Sequence, residues 1–130
     1  MNAREYHRAY TSLLREVDAR CQRYYHERLT DVVNDLRLHH IEIRPDPSAE
    51  ELLSVISRNR ILDFTTAAPM VELREAIDRL MRGTFGLCVD CGEGIPSETL
   101  EQHPTAKLCG RCNKQKVVGF NLSRPAENRL

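Results

Sequence analysis

The chain has 130 residues, 19 Lys+Arg against 19 Asp+Glu, 41% hydrophobic and 5% aromatic positions, no Trp and five Cys. That size accommodates one domain, or one long element plus a small module, and the balanced charge argues against a protein that coats nucleic acid or an anionic membrane, which needs an excess of Lys and Arg. So few aromatics also weigh against a single-strand binder built on base stacking, and no apolar run approaches the ~18 residues of a membrane span.

The first residues, Met1-Asn2-Ala3-Arg4-Glu5-Tyr6-His7, lack the apolar core of a signal peptide. A reducing, cytoplasmic location is expected, and in such a setting five cysteines point to metal before disulfides. Residues 1–82 contain no glycine, and all six glycines fall between Gly83 and Gly119. The first part therefore suits long helix and the second suits turns around a compact site. The expected division is a helical hairpin over 1–82, a zinc-finger module with a short helix over 83–118, and a tail over 119–130.

In the first part apolar residues recur every three or four positions: Tyr6, Tyr10, Leu13, Val17, Cys21, Tyr24 or Tyr25, Leu29, Val32 and Leu36. This is the stripe of an amphipathic helix. Cys21 sits on that stripe as a small core residue. A second series runs through Leu52, Val55/Ile56, Asn59, Leu62, Thr66, Met70, Leu73, Ile77 and Leu80.

Arg44-Pro45-Asp46-Pro47-Ser48 separates the two series. Pro45 disfavours helix at Arg44, Asp46 can cap the next helix with Pro47 at its first position, and Ser48-x-x-Glu51 reads as a capping box. Each stretch is roughly 35–40 residues, or roughly 50–60 Å at 1.5 Å per residue. Two stripes of matched length predict an antiparallel helical hairpin, a coiled coil with its tip near 44–48. The alternative is a compact helical bundle with a break at Pro69, where the ring removes a hydrogen bond and crowds Thr65.

Cys88-Val89-Asp90-Cys91 is followed, after 17 residues, by Cys109-Gly110-Arg111-Cys112. Two C-x-x-C turns place four thiolates around one tetrahedral Zn²⁺. Protein sulfur fills all four positions, so the ion is structural. Gly92 and Gly110 are expected to allow the turns, and Lys107, Arg111, Lys114 and Lys116 to offset the charge of the zinc thiolates. The region from Gly83 onward is too short to rely on a hydrophobic core alone. His103 lies between the pairs, but the four Cys already complete the site. His39-His40 suits a helix C-terminus.

The run Gly83-Thr84-Phe85-Gly86-Leu87-Cys88-Val89-Asp90-Cys91-Gly92, with Ile95, Leu100-Glu101, Pro104-Thr105-Ala106-Lys107-Leu108-Cys109 and Cys112, closely resembles the zinc finger of the DksA/TraR family. The likeness is dense over the finger and architectural in the hairpin, which is similar to the coiled coil of the longer, DksA-like members. It implies a bacterial or phage transcription regulator that binds RNA polymerase rather than DNA. The coiled coil of such proteins enters the secondary channel, and acidic tip residues act near the polymerase active site.

The family tip reads Asp-x-x-Asp-x-Ala. Here Asp46-Pro47-Ser48-Ala49-Glu50-Glu51 keeps the first Asp, has Ala49 at the second position and ends on Glu51. Asp46 and Glu50 are the candidate partner-binding carboxylates, with a helix N-cap as the other role open to Asp46. Some members act with guanosine tetraphosphate through basic residues before Pro-Thr-Ala and after the last Cys. Those positions hold His103 and Asn113, so weak or absent binding is expected.

A zinc-stapled coiled-coil adaptor or oligomerisation module is the alternative function. A DNA-binding ribbon is disfavoured because Asp90, Glu93, Glu98, Glu101 and Glu127 nearly balance the basic residues of the same region. Catalysis is not expected: there is no Gly-rich phosphate loop, no open metal position and no nucleophile–base pair.

Overall fold

The computed structural model of the chain describes residues 2–114. Among them are five helices: α1 (Ala3–Tyr25), α2 (Leu29–Leu38), α3 (Ala49–Arg58), α4 (Ala68–Arg82) and α5 (Ser97–Gln102). No strand occurs among the described residues, only an isolated antiparallel bridge between Leu87 and Gly94. The chain divides into two compact units that meet at Phe85–Gly86. The mainly helical class and the small cysteine module are as expected. The expected tail from 119 lies outside the described residues, as do residues 115–118 of the short helix expected after Cys112.

In the first unit α1 starts on a capping box. Asn2 Oδ1 accepts the Glu5 N–H at 2.9 Å, and Glu5 Oε1 accepts the Asn2 N–H at 3.0 Å. Its stripe of Ala9, Leu13, Val17 and Cys21 is buried. It packs against Leu53, Val55 and Ile56 of α3 and Met70, Leu73, Ala76, Ile77 and Leu80 of α4. Complete burial of a Leu, Ile or Met side chain contributes about 1.5–3 kcal/mol, so these three helices hold the unit together.

Polar contacts fix the helix directions. Arg20 of α1 donates to the Pro69 carbonyl at 2.7 Å while Tyr6 reaches the Gly83 carbonyl at 3.5 Å, so α4 runs against α1. Tyr10 feels the Glu50 carboxylate, which raises its pKa after burial has done so. The start of α3 therefore lies beside the first half of α1, and the two run the same way.

The expected helices of 35–40 residues are each two helices. The first breaks at 26–28 and the second at 59–67. No glycine or proline makes these breaks. Instead His26 (φ 57°) ends α1, His40 (φ 68°) follows α2 and Arg60 (φ 53°) follows α3, all left-handed. Each closes a Schellman turn: Glu27 N–H to Cys21 O (3.3 Å), Ile41 N–H to Leu36 O (3.0 Å) and Ile61 N–H to Ile56 O (3.0 Å). A left-handed non-glycine residue costs roughly 1–2 kcal/mol. Only α4 ends on glycine, Gly83 at φ 82°. Pro69 breaks nothing, because it occupies the first turn of α4, where its missing N–H has no partner to lose.

Past its break the first stripe doubles back. The Asp18 carboxylate accepts from the Leu29 backbone N–H (2.8 Å) and from two nitrogens of Arg28 (3.1 and 3.0 Å), fastening the start of α2 to α1. Arg28 lowers the Asp18 pKa, helped by the Leu29 N–H. No residue of α2 is buried.

The 39–48 segment then joins α2 to α3 beside α1 rather than forming the far tip of a two-helix rod. Ser48 Oγ caps α3 by accepting the Glu51 N–H at 3.1 Å. The Glu51 side chain pairs with Arg44 at 2.8 Å, and this guanidinium, with the backbone N–H groups of Ser48 and Arg44, lowers its pKa. Asp46 is not the cap, and both it and Glu50 are exposed.

Candidate metal centre

In the second unit the chain after Gly86 makes a tight knuckle. Ile95 N–H bonds to Gly86 O (2.7 Å), Cys88 N–H to Glu93 O (2.8 Å) and Gly92 N–H to Cys88 O (2.9 Å). The last of these turns back through Gly92 at φ 79°, a conformation that any Cβ would strain. Gly110, expected to serve the second pair in the same way, is helical, at the start of a turn spanning 110–114. Gly86, at φ 85°, is the other left-handed glycine of the second unit.

The second knuckle is held by Asn113 N–H to Cys109 O (2.9 Å) and Cys112 N–H to Cys109 Sγ (3.4 Å). Val89 N–H to Lys107 O (2.9 Å) ties the two knuckles together.

These turns bring the sulfurs of Cys88, Cys91, Cys109 and Cys112 within 4.8 Å of one another. The Cys91–Cys109 pair is 3.7 Å apart. A tetrahedron with Zn–S bonds of about 2.3 Å has sulfur–sulfur edges of about 3.8 Å, so the residues fit one zinc ion. Cys88, Cys109 and Cys112 are buried against Leu108, whereas Cys91 is exposed.

The thiols of the cluster differ in their surroundings. Burial raises the Cys88 thiol, but backbone N–H groups of Cys109, Cys91 and Asp90 outweigh it and bring its pKa to about 6. Hydrogen bonds to Cys109 and Cys91, then burial, push Cys112 up to about 12. Zn²⁺ binds thiolates, so loading the site releases protons. When bound, the ion supplies structural cross-linking.

Of the expected counter-charges, Arg111 is the one placed on the sulfurs. It hydrogen-bonds the Cys91 thiolate and feels Cys109 and Cys112, which raises its own pKa. Lys107 contributes its backbone carbonyl, and Lys116 lies outside the described residues. His103 is not in the cluster; it ends α5, with its N–H on Thr99 O at 2.7 Å.

Two features escaped the sequence reading. The Asp18 clamp pairs residues 10 and 11 positions apart, outside helical spacing, and no local pattern marks it. Arg79 of α4 is buried, and the unbroken spacing of Met70, Leu73, Ile77 and Leu80 gives no sign of it. Cys21 behaves as expected: burial raises its pKa, assisted by Glu27 and Asp18, and holds it as an inert thiol.

No helix among the described residues is long and apolar enough to cross a membrane. No solved structure shows significant similarity to the chain. An uncharacterized protein of Aquifex aeolicus (strain VF5) is 33% identical over 66 residues, which cover 51% of this chain and 41% of that protein. The chain thus matches less than half the length of this relative. Residues 83–114 match the prokaryotic dksA/traR C4-type zinc finger, and with four cysteines gathered at zinc-binding distances this segment is a finger of that family.

Proposed function

We propose that the protein is a zinc-stapled transcription regulator that acts on RNA polymerase, docking its helical unit at the secondary channel, with no catalytic activity of its own. The dksA/traR finger over 83–114 is the observation that carries this reading. The neutral net charge supports a protein partner over DNA. Asp46 and Glu50 are the carboxylates offered to the polymerase. Ser48 already caps α3, so Asp46 is exposed and has no capping duty. Guanosine tetraphosphate is not a required partner, because His103 and Asn113 supply no fixed positive charge for a pyrophosphate.

Competition on RNA polymerase tests this. A labelled secondary-channel factor is titrated with the wild-type protein and with Asp46→Asn. Displacement by both is expected, with the tip carboxylate bearing on initiation and not on binding. If neither protein displaces the label, with zinc bound and helices intact, the reading is refuted.

A second reading, an adaptor or oligomerisation module for another protein, draws on Phe64 and Leu38, which are 69% and 76% exposed. Concentration-dependent sedimentation of the pure protein distinguishes it.

A further inference from the structure

A cleft of about 620 Å³ opens in the first unit where α1, α2, the end of α3 and the segment after it come together. That volume suits a small organic molecule, for which sites of roughly 300–1,000 Å³ are usual. Its apolar walls include Val17, Cys21, Ile56 and Leu62, all buried. α2 adds Val32 and Leu36, which are only half-buried. Apolar surface of this kind favours an occupant that removes it from water.

Two further features select the head group of such an occupant. Tyr25 and Phe64 line the cleft as an aromatic pair, with ring centroids 5.9 Å apart and planes at 44°. The Tyr25 hydroxyl shares a hydrogen bond with Thr65 Oγ1, which holds its ring in place, and Phe64 stands mostly in solvent. The charged groups of the lining are Glu27, Asp35 and Arg60. Asp63 neutralises Arg60 at 3.2 Å. The ion-pair contact of Asp35 is with the His39 imidazole at 3.9 Å, and Glu27 has no cationic partner among the described residues. The Glu27 charge reaches the apolar wall, where it adds to burial in raising the Cys21 pKa. Aromatic faces and unneutralised carboxylates attract the same thing, a cation.

We propose that this cleft is a binding site for a small apolar amine in its ammonium form. The hydrocarbon or aryl body lies on Val17, Cys21, Ile56 and Leu62, and the charged head turns to Glu27, Asp35 and the Tyr25–Phe64 rings. The same carboxylates repel an anionic amphiphile. A seated ligand also touches Val32 and Leu36, so it pins α2, which is otherwise fastened at its start by Asp18. Every residue of the site belongs to the first unit, so the inference stands apart from polymerase binding.

Phenylbutylamine, phenylbutanol and phenylbutyrate share one body and differ in the head. Each is titrated into the zinc-loaded full chain at neutral pH and low salt, with backbone amide shifts read by NMR. The amine should shift the amides of Cys21, Tyr25, Ile56, Leu62 and Phe64 saturably in the millimolar range or below. It should bind about tenfold more tightly than the alcohol, with the acid weakest, and slow amide exchange in 29–38. Glu27→Gln with Asp35→Asn changes two exposed side chains and should bring the amine to the affinity of the alcohol, leaving the alcohol unchanged.

The proposal is overturned if the amine leaves these amides unshifted, or if amine and alcohol bind the wild type equally. A preference for the amine that survives in the double variant overturns it too. So do cleft amides that shift with protein concentration alone, which would assign the cleft to a second copy of the chain. Should the double variant misfold, the ranking of the three compounds on the wild type still decides.

Discussion

Replacing Gly92 by alanine forces a Cβ onto a backbone held at φ 79°, in the turn that returns Gly92 N–H to Cys88 O. The surrounding space is open, so the cost is conformational, about 1–2 kcal/mol. Since the finger folds around its ion, that cost appears as about tenfold weaker zinc affinity in a chelator competition. Arg111→Ala removes the guanidinium from Cys91 and should weaken zinc several-fold, with Arg111→Lys intermediate. In the core, Leu73 is fully buried, and Leu73→Ala should cost about 2–5 kcal/mol in a denaturant titration. Left-handed His26 and Arg60 behave oppositely to Gly92: glycine at either should leave stability unchanged or raise it by up to about 1 kcal/mol, whereas glycine inside a continuous helix costs about 1 kcal/mol.

Individual helices were legible in the sequence, as were the Ser48 cap of α3 and the end of α4 at Gly83; the two internal breaks were not. The spacing of Leu13, Val17 and Cys21, and of Met70, Leu73, Ile77 and Leu80, is read correctly as helix because packing demands it. The breaks were hidden because their left-handed residues are His and Arg rather than the glycine or asparagine that usually marks such a turn. Leu62 and Thr65 are buried in the non-helical segment, so the stripe runs unbroken through it. Pro69 misled in the other direction, marking a helix start rather than a break. The metal centre was almost wholly legible, since paired C-x-x-C turns specify their own geometry, although Gly86, not Gly110, shares the left-handed role with Gly92.

The clamp on α2 gives this element a pH dependence. Asp18 has a depressed pKa in the folded chain, set by Arg28 and the Leu29 N–H. Its contribution is therefore complete above the unfolded carboxylate value of about 3.9 and is lost as pH falls through the lower folded value. Amide exchange in 29–38 should accelerate below about pH 4 in the wild type. In Asp18→Asn it should already be faster at neutral pH.

The whole molecule divides its sources of stability between its units. The three-helix core of the first needs no ion, whereas the finger rests on a metal contributing on the order of 10 kcal/mol. Stripping zinc from the full chain should release the amides of Cys88, Val89, Ile95 and Cys112, whose acceptors belong to the two knuckles. Amides within α1 and α4 should keep their protection. Loss of protection throughout both units would show that the finger supports the helices as well.

The Asp18 clamp also orders the assembly of the chain. α1 carries a full capping box from local sequence, whereas α2 has a local bond only from the Arg28 N–H to Asp31 (3.0 Å) and takes the cap on its Leu29 N–H from a carboxylate 11 residues upstream, on a helix that must already exist. Ten residues are too few to hold helix alone in water. A peptide of residues 27–48 should thus be unstructured by circular dichroism, and in refolding kinetics α2 should register near-zero φ-values while α1 and α4 form the nucleus. The segment that brings Asp46 into place is then the last to arrive and the first to leave.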